Sequence, residues 1–501
     1  MNRTLLRLTI LALVLIPAGS AAASPPEPVS LTRIAGTTPP NPVPDPDAPQ
    51  AEIAAYHADT DRIFATNTEV NTLDVYENVL TPSLIAQIPL EGGPNSVAVR
   101  SDGLVAVAVE ADPKTDPGHV QFIDANTLLK LGTAPAGALP DMLTFTRDGK
   151  RVLVANEGEP NDEYTIDPEG SVTIVKTASF KSKQVLFKSN RAYPGVRIFG
   201  PNANAAEDFE PEYIAPDPDG DRAYVTLQEN NAIAIVDIDD AKVQAVRALG
   251  FKNWGKSALD VSDQDGVGQD RIVPQPNVLG MYQPDAIAAY ELGGKTHLVS
   301  ANEGDARDYD GFSEEERAGS LALDSAAFPA PGSVSRLNVT TTLGDIDGDL
   351  DYDRLFPFGA RSLSVLDHTG RVRFDTGDGL ERQTLSLTPT LFNSNHGAAP
   401  NPDNRSDDKG PEPEGVAVGR VGGQLYAFLG LERHSGIAAY DLSANRGKAA
   451  FAGLAQNRPQ DRGPEGIAYI RGADSPTGDP LVLVTNEATS TVGVWSVAPA
   501  P

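Results

Sequence analysis

One short pattern recurs seven times along this chain of 501 residues, and it restricts the fold more than any single residue does. A strand-like run opens on a small residue or proline followed by a carboxylate or amide. About 15 to 22 residues later, a second strand-like run ends in glutamate. The openings are Ala51-Glu52-Ile53, Pro94-Asn95-Ser96, Pro140-Asp141-Met142, Pro211-Glu212-Tyr213, Pro284-Asp285-Ala286, Pro413-Glu414-Gly415 and Pro464-Glu465-Gly466. The matching ends are Glu69, Glu110, Glu157, Glu229, Glu303, Glu432 and Glu487. One supersecondary unit is therefore used seven times, with acidic groups at equivalent points of each copy. Function is expected at those points.

Each unit but the last carries two further strand-like runs, such as Thr72 to Tyr76 and Leu84 to Ile88 in the first. Helical periodicity is scarce, so the class is all-β. Seven units of four antiparallel strands predict a seven-bladed β-propeller, whose radial closure removes exposed sheet edges. The last unit lacks a fourth run. The alternating stretch Val29-Ser30-Leu31-Thr32-Arg33-Ile34 is expected to supply it, so that an N-terminal strand closes the ring. The propeller then spans 51–498, preceded by a segment at 24–50. Residues 1–23 have the form of a secretory signal: Arg3 and Arg7 precede the apolar run Leu8 to Ile16, and Ala21-Ala22-Ala23 offers a cleavage site. The expected location is secreted or periplasmic.

A blade needs about 40–45 residues. The surplus falls at 158–170, 188–210, 248–283, 304–361 and 375–412, in second-to-third-strand and blade-to-blade connections. In an up-and-down blade those connections emerge on one rim, which is also where the repeated acids lie. That top face is the expected functional face.

The formal net charge is −29, which argues against nucleic acid and anionic membranes as partners and is compatible with bound divalent cations. There is no cysteine, which excludes disulfides, thiolate metal sites and a cysteine nucleophile. No stretch is long and apolar enough to span a bilayer, and a monomer is expected. The candidate metal ligands are Glu157, Glu229, Asp285, Glu303, Glu414, Glu432, Glu465 and Glu487. Hard oxygen donors at this density suit Ca²⁺. Within a blade, Asp141 is expected to approach Glu157, and Glu212 to approach Glu229. Like charges opposed across a ladder destabilise it unless a cation lies between them or loop N–H groups bind each one; both outcomes stay open here. Arg307, Lys409, Arg433 and His434 are the candidate catalytic groups, able to clamp a phosphoryl oxygen. The alternative for these basic residues is an internal salt bridge within the acidic loops. Two Asp-rich loops, Asp345 to Asp353 and Asp260 to Asp270, partly match calcium loops.

Ala155-Asn156-Glu157-Gly158-Glu159-Pro160, Ala301 to Tyr309, Phe358 to Ser362, Arg405 to Val416 and Leu431-Glu432-Arg433 together resemble the choice-of-anchor I family. The resemblance covers about 50–497 and implies an exported bacterial propeller, with cell-surface association. It brings no settled activity. The Pro-Glu-Gly-hydrophobic-Ala opening, followed by a strand ending in Glu, is also similar to calcium-dependent propeller phytases, as an analogy of form. Two functions remain: a Ca²⁺-dependent phosphoric ester hydrolase acting on a phosphorylated small molecule, or a non-catalytic module for a surface protein or glycan.

Overall fold

The computed structural model describes residues 25–38, 51–201, 203–269, 271–444 and 447–500. The signal-peptide expectation over 1–23 lies outside them. Among the described residues, seven four-stranded antiparallel sheets form the blades of a propeller. In blade 3 the strands are A (Pro140–Phe145), B (Arg151–Asn156), C (Ser171–Lys176) and D (Lys181–Leu186). Blade 7 has A (Pro464–Ile470), B (Leu481–Asn486) and C (Thr491–Pro499). Its fourth strand is N-terminal, Val29–Gly36, which pairs antiparallel with Thr491–Pro499 from Val29↔Pro499 to Gly36↔Gly493. The ring closes as expected, with the strand two residues longer than the sequence pattern indicated.

Burial explains the sequence patterns. Strand B sits between neighbours on both faces and reads as a continuous apolar run; all six residues of Leu104–Val109 in blade 2 are buried. Strand D is outermost, so Ser83–Pro89 in blade 1 is mostly exposed or half-buried. Seven apolar layers lie between successive blades. The layer between blades 7 and 1, including Ala54, Ile63, Leu481 and Val494, makes the circle continuous.

Strand A carries the device that aims the acids. In blades 3, 4, 6 and 7 the A–B register shifts between the opening proline and the third residue after it (Pro140/Leu143, Pro211/Ile214, Pro413/Val416, Pro464/Ile467). The repeated acid therefore occupies a β-bulge, which frees it from the ladder and turns it towards the axis. Threonine hydroxyls from strand B satisfy the loosened backbone: Tyr213 N–H donates to Thr226 Oγ1 (2.8 Å) and Gly466 N–H to Thr485 Oγ1 (2.8 Å). Glycine follows the acid in blades 6 and 7 because the next blade's backbone touches it. A Cβ on Gly415 would lie 2.1 Å from the Glu465 carbonyl oxygen, and one on Gly466 2.7 Å from that of Glu52.

The connections at 249–286 and 303–361 fold over the top face as a cap with its own core, including Trp254, Leu259, Leu337 and Leu355. The connection from blade 5 to blade 6 holds a short α-helix, Gly379–Leu387, which the sequence pattern did not signal.

Candidate functional site: an acidic axial well

The bulged acids converge. A cavity of about 520 Å³ on the axis at the top face is lined by Glu52, Asn95, Asp141, Glu212, Asp285 and Glu465, with Glu110, Glu159, Glu487 and Lys114 around it. A second cavity of about 600 Å³ opens at the other end of the axis. Ile53, Met142 and Tyr213 line both, so these three side chains separate them. Each directly follows a ring acid in sequence. In blades 5, 6 and 7 the corresponding positions are Ala286, Gly415 and Gly466, which leave room for the three larger side chains.

The acids associate between blades more than within them. Oxygens of Asp141, Glu157 and Glu212 lie within 4.8 Å of one another, joining blades 3 and 4. Asp285 of blade 5 lies against Glu414 of blade 6, a contact of two acids rather than of an acid and a base. Glu303, Glu412 and Glu432 form another such group. The expected approach of Asp141 to Glu157 within blade 3 is present, and blade twist adds Glu212 by carrying the start of one strand A towards the end of the neighbouring strand B. Asp141 and Glu212, outside the ligand set expected from sequence, thus join Glu157.

Two repeat assignments shift by one residue. Strand B of blade 1 ends at Asn67, so Thr68 takes the place expected for Glu69 and lines the cavity. In blade 4 the register Pro211↔Leu227 makes Gln228 the equivalent of Glu157, since Pro140 pairs with Asn156. Gln228 donates from Nε2 to Glu303 Oε2 at 2.8 Å. Glu229 falls one residue beyond the ring; it is 5% exposed and its carbonyl oxygen accepts from Arg197 (2.6 Å). In blades 3 and 5 the strand itself ends in asparagine. Asn156 binds Ser171 and Thr173, and Asn302 binds Ser362 and Ser364, fixing the glutamate that follows.

The basic candidates separate into two sets. Lys409 reaches the rim, with Nζ 2.8 Å from Glu303 and 3.5 Å from Asp305. Arg433 lies 2.6 Å from Glu412 and 3.0 Å from Glu432, against the imidazole of His396. Arg307 is 1% exposed and bound to Asp208 (2.7 Å) and Glu210 (2.9 Å). His434 is fully buried and shares a hydrogen bond with Thr388 (2.8 Å); burial, with Arg458 adding to it, pushes its pKa down to about 3. The expectation that Arg307 and His434 hold a phosphoryl oxygen therefore does not fit their placement: one is enclosed by carboxylates, and the other is a neutral, enclosed imidazole. Lys114, which no sequence motif singles out, lines the well beside Glu159.

Burial first, and neighbouring carboxylates second, raise the acids. Asp141 moves from 3.8 to about 8. Glu303 reaches about 8 despite Lys409, and Glu432 about 7. Glu52, Glu157, Glu212, Glu414 and Glu465 are all raised well above the usual carboxylate range. A carboxyl raised in the fold stabilises it fully below its unfolded pKa, and that contribution is lost as pH climbs through the folded value. In chelator, the melting temperature should therefore fall between about pH 5 and about pH 8.5, with a tenfold difference in proton affinity between folded and unfolded chain worth about 1.4 kcal/mol. A melting temperature that stays level or rises across that range would contradict this electrostatic picture.

Among the described residues, no helix is long and apolar enough to cross a membrane. Among curated proteins, the chain is similar to Gigasin-3a of Magallana gigas, at 32% identity over 33% of this chain and 64% of that protein. It is also similar to the mesenchyme-specific cell surface glycoprotein of Strongylocentrotus purpuratus, at 28% identity over 49% of this chain and 36% of that one. The chain thus spans less than two thirds of either relative. Solved structures that resemble it include Kuenenia stuttgartiensis hydrazine synthase, with TM-score 0.49 and 12% identity over 92% of this chain and 99% of that one. Another is the Myceliophteria thermophila Cps50 (Swd1) β-propeller domain, with TM-score 0.44 and 9% identity over the same shares. The choice-of-anchor I domain matches residues 52–445, from the first ring acid to a point past blade 6's third strand (Gly436–Asp441), and the chain belongs to that family.

Proposed function

We propose that the axial well is a divalent-cation site, filled by Ca²⁺, through which an extracellular or cell-surface propeller engages a phosphate ester and hydrolyses it. The observation that carries this reading is a carboxylate set too large for its own counter-charges. Glu414 is 9% exposed at the axis, and its Oε2 has no hydrogen-bond partner. Asp141, Glu157 and Glu212 would hold the cation, with Asp285, Glu303, Glu414, Glu432, Glu465 and Glu487 as the surrounding donors. All are oxygen ligands, which favours Ca²⁺ over zinc. Calcium would supply a Lewis-acid centre for a phosphoryl oxygen. Lys114 lines the well, and Lys409 and Arg433, held by Glu303 and by Glu412 and Glu432, would complete the charge-assisted hydrogen bonds to the same group.

The second reading is a binding module for a surface protein or glycan. One observation favours it: Lys409 and Arg433 already have carboxylate partners, which an incoming phosphate must displace.

Calorimetric titration with CaCl₂ and a panel of phosphate monoesters, assayed in Ca²⁺ and in chelator, separate these readings. Calcium binding and calcium-dependent phosphate release are expected, with Asp141→Asn weakening calcium about tenfold or more. Calcium binding without turnover on any ester would leave the binding module. Absence of calcium binding would end the cation proposal and leave the binding module.

A further inference from the structure

Away from the axis, two top-face insertions meet around a second group of acids. A hairpin between blades 4 and 5 pairs Ala258–Leu259 with Val273–Pro274 and carries Asp260 and Asp265. The loop between blades 5 and 6, after the helix, carries Asp403. Oxygens of these three aspartates lie within 4.8 Å of one another. Asp260 is 1% exposed and Asp403 4%.

The hydrogen bonding is incomplete in a specific way. Asp403 is satisfied on both oxygens, by Ser406 Oγ (2.8 Å) and by Gly266 N–H (3.0 Å). Asp260 Oδ1 accepts from Ser262 N–H at 3.3 Å, but its Oδ2 is buried with no partner, and so is Asp265 Oδ1. Behind them, Glu381 Oε2 and Asn393 Oδ1 are also buried and unpartnered. A buried polar oxygen without a donor is costly, and native proteins keep few of them. Nearby positive charge is limited. Arg361 serves Glu381 (2.7 Å) and the Asp260 carbonyl oxygen (3.0 Å), and Arg271 stands 4.0 Å from Asp265 at the outer side. Burial, then Glu381 and Asp403, push Asp260 up to about 8.

We propose that Asp260, Asp265 and Asp403 hold a structural Ca²⁺ that ties the blade 4–5 insertion to the blade 5–6 insertion. The donors are all hard oxygens, without histidine or thiolate. Metal–oxygen distances of about 2.3–2.6 Å place opposite calcium ligands roughly 5 Å apart, whereas Mg²⁺, at about 2.1 Å, requires a tighter set. The two segments also share a small apolar cluster, Ala258, Ile272, Leu385 and Phe392, and hydrogen bonds from Arg382 to Gln269 Oε1 (3.3 Å) and the Ile272 carbonyl oxygen (3.2 Å), and the ion adds the charge that their facing aspartates lack.

Hydrogen exchange of the full-length chain tests this, with CaCl₂, MgCl₂ or chelator, followed on peptides covering 258–274 and 393–408. Calcium should slow exchange about tenfold or more in both segments together. Asp265→Asn should lose that protection in both, and Asp141→Asn at the axis should keep it. Calcium-independent exchange in the wild-type protein would overturn the proposal, as would undiminished protection in Asp265→Asn. Equal protection by Mg²⁺ would overturn the assignment to calcium. Should Asp265→Asn fail to fold, the wild-type comparison decides alone. The axial reading is not at stake in any arm.

Discussion

A chain beginning at Ala51 should melt at least about 10 °C below one beginning at Ser24, because it lacks the strand that closes the ring. For a chain of this size melting as one unit, about 1 kcal/mol corresponds to about 1 °C, so the expected loss is on the order of 10 kcal/mol. Three losses add together. The ladder between Val29–Gly36 and Thr491–Pro499 disappears along its whole length. Val29, 6% exposed, leaves the layer it shares with Val421, Tyr426, Phe428 and Val497 between blades 6 and 7. Asp461, whose side chain is 4% exposed, loses Arg33, its partner at 2.6 Å. The truncated protein would also present Thr491–Pro499 as an open edge, so aggregation on heating is expected. Adding a peptide of residues 25–38 should restore part of the melting temperature in a concentration-dependent way. Coincident melting curves for the two chains would show that closure contributes no stability.

The repeat made the blades legible because strand B must be apolar throughout and strand A must open on the same small-acid signature in each copy. The ring of acids was legible for the same reason. Register was not. Thr68 and Gln228 hold ring positions where the nearest glutamate lies one residue further on, and only the pairing of Asn67 and Leu227 in their ladders reveals it. The grouping of Asp141 and Glu157 with Glu212 depends on the twist between neighbouring sheets, which leaves no mark on one strand's composition. The nine-residue helix Gly379–Leu387 was hidden because it buries only part of one face, including Leu380 and Leu385, and begins at a glycine. Burial of charge was the least visible property. The sequence around Arg307 offers acids on both sides, yet its partners Asp208 and Glu210 come from another insertion about a hundred residues earlier.

That partnership predicts the second large effect. Arg307→Met should destabilise the protein by about 3–5 kcal/mol, because it leaves two carboxylates buried without their cation. Asp208 is fully buried and Glu210 1% exposed. The guanidinium also donates to the Asp208 carbonyl oxygen (2.8 Å) and lies 4.5 Å over the Phe199 ring, whose neighbourhood Arg197 shares at 4.0 Å. Replacing all three charges, as Arg307→Met with Asp208→Asn and Glu210→Gln, should recover most of the loss, since the cost lies in the orphaned acids rather than in the missing arginine. A group reserved for substrate would behave in the opposite way: Arg307→Met would melt like the wild-type protein, and the added acid substitutions would bring no recovery. Chemical denaturation of the wild-type protein, Arg307→Met, the Asp208→Asn, Glu210→Gln pair and the triple substitution as a cycle therefore decides whether this arginine fastens the cap to blade 4, as its enclosure requires, or serves the well.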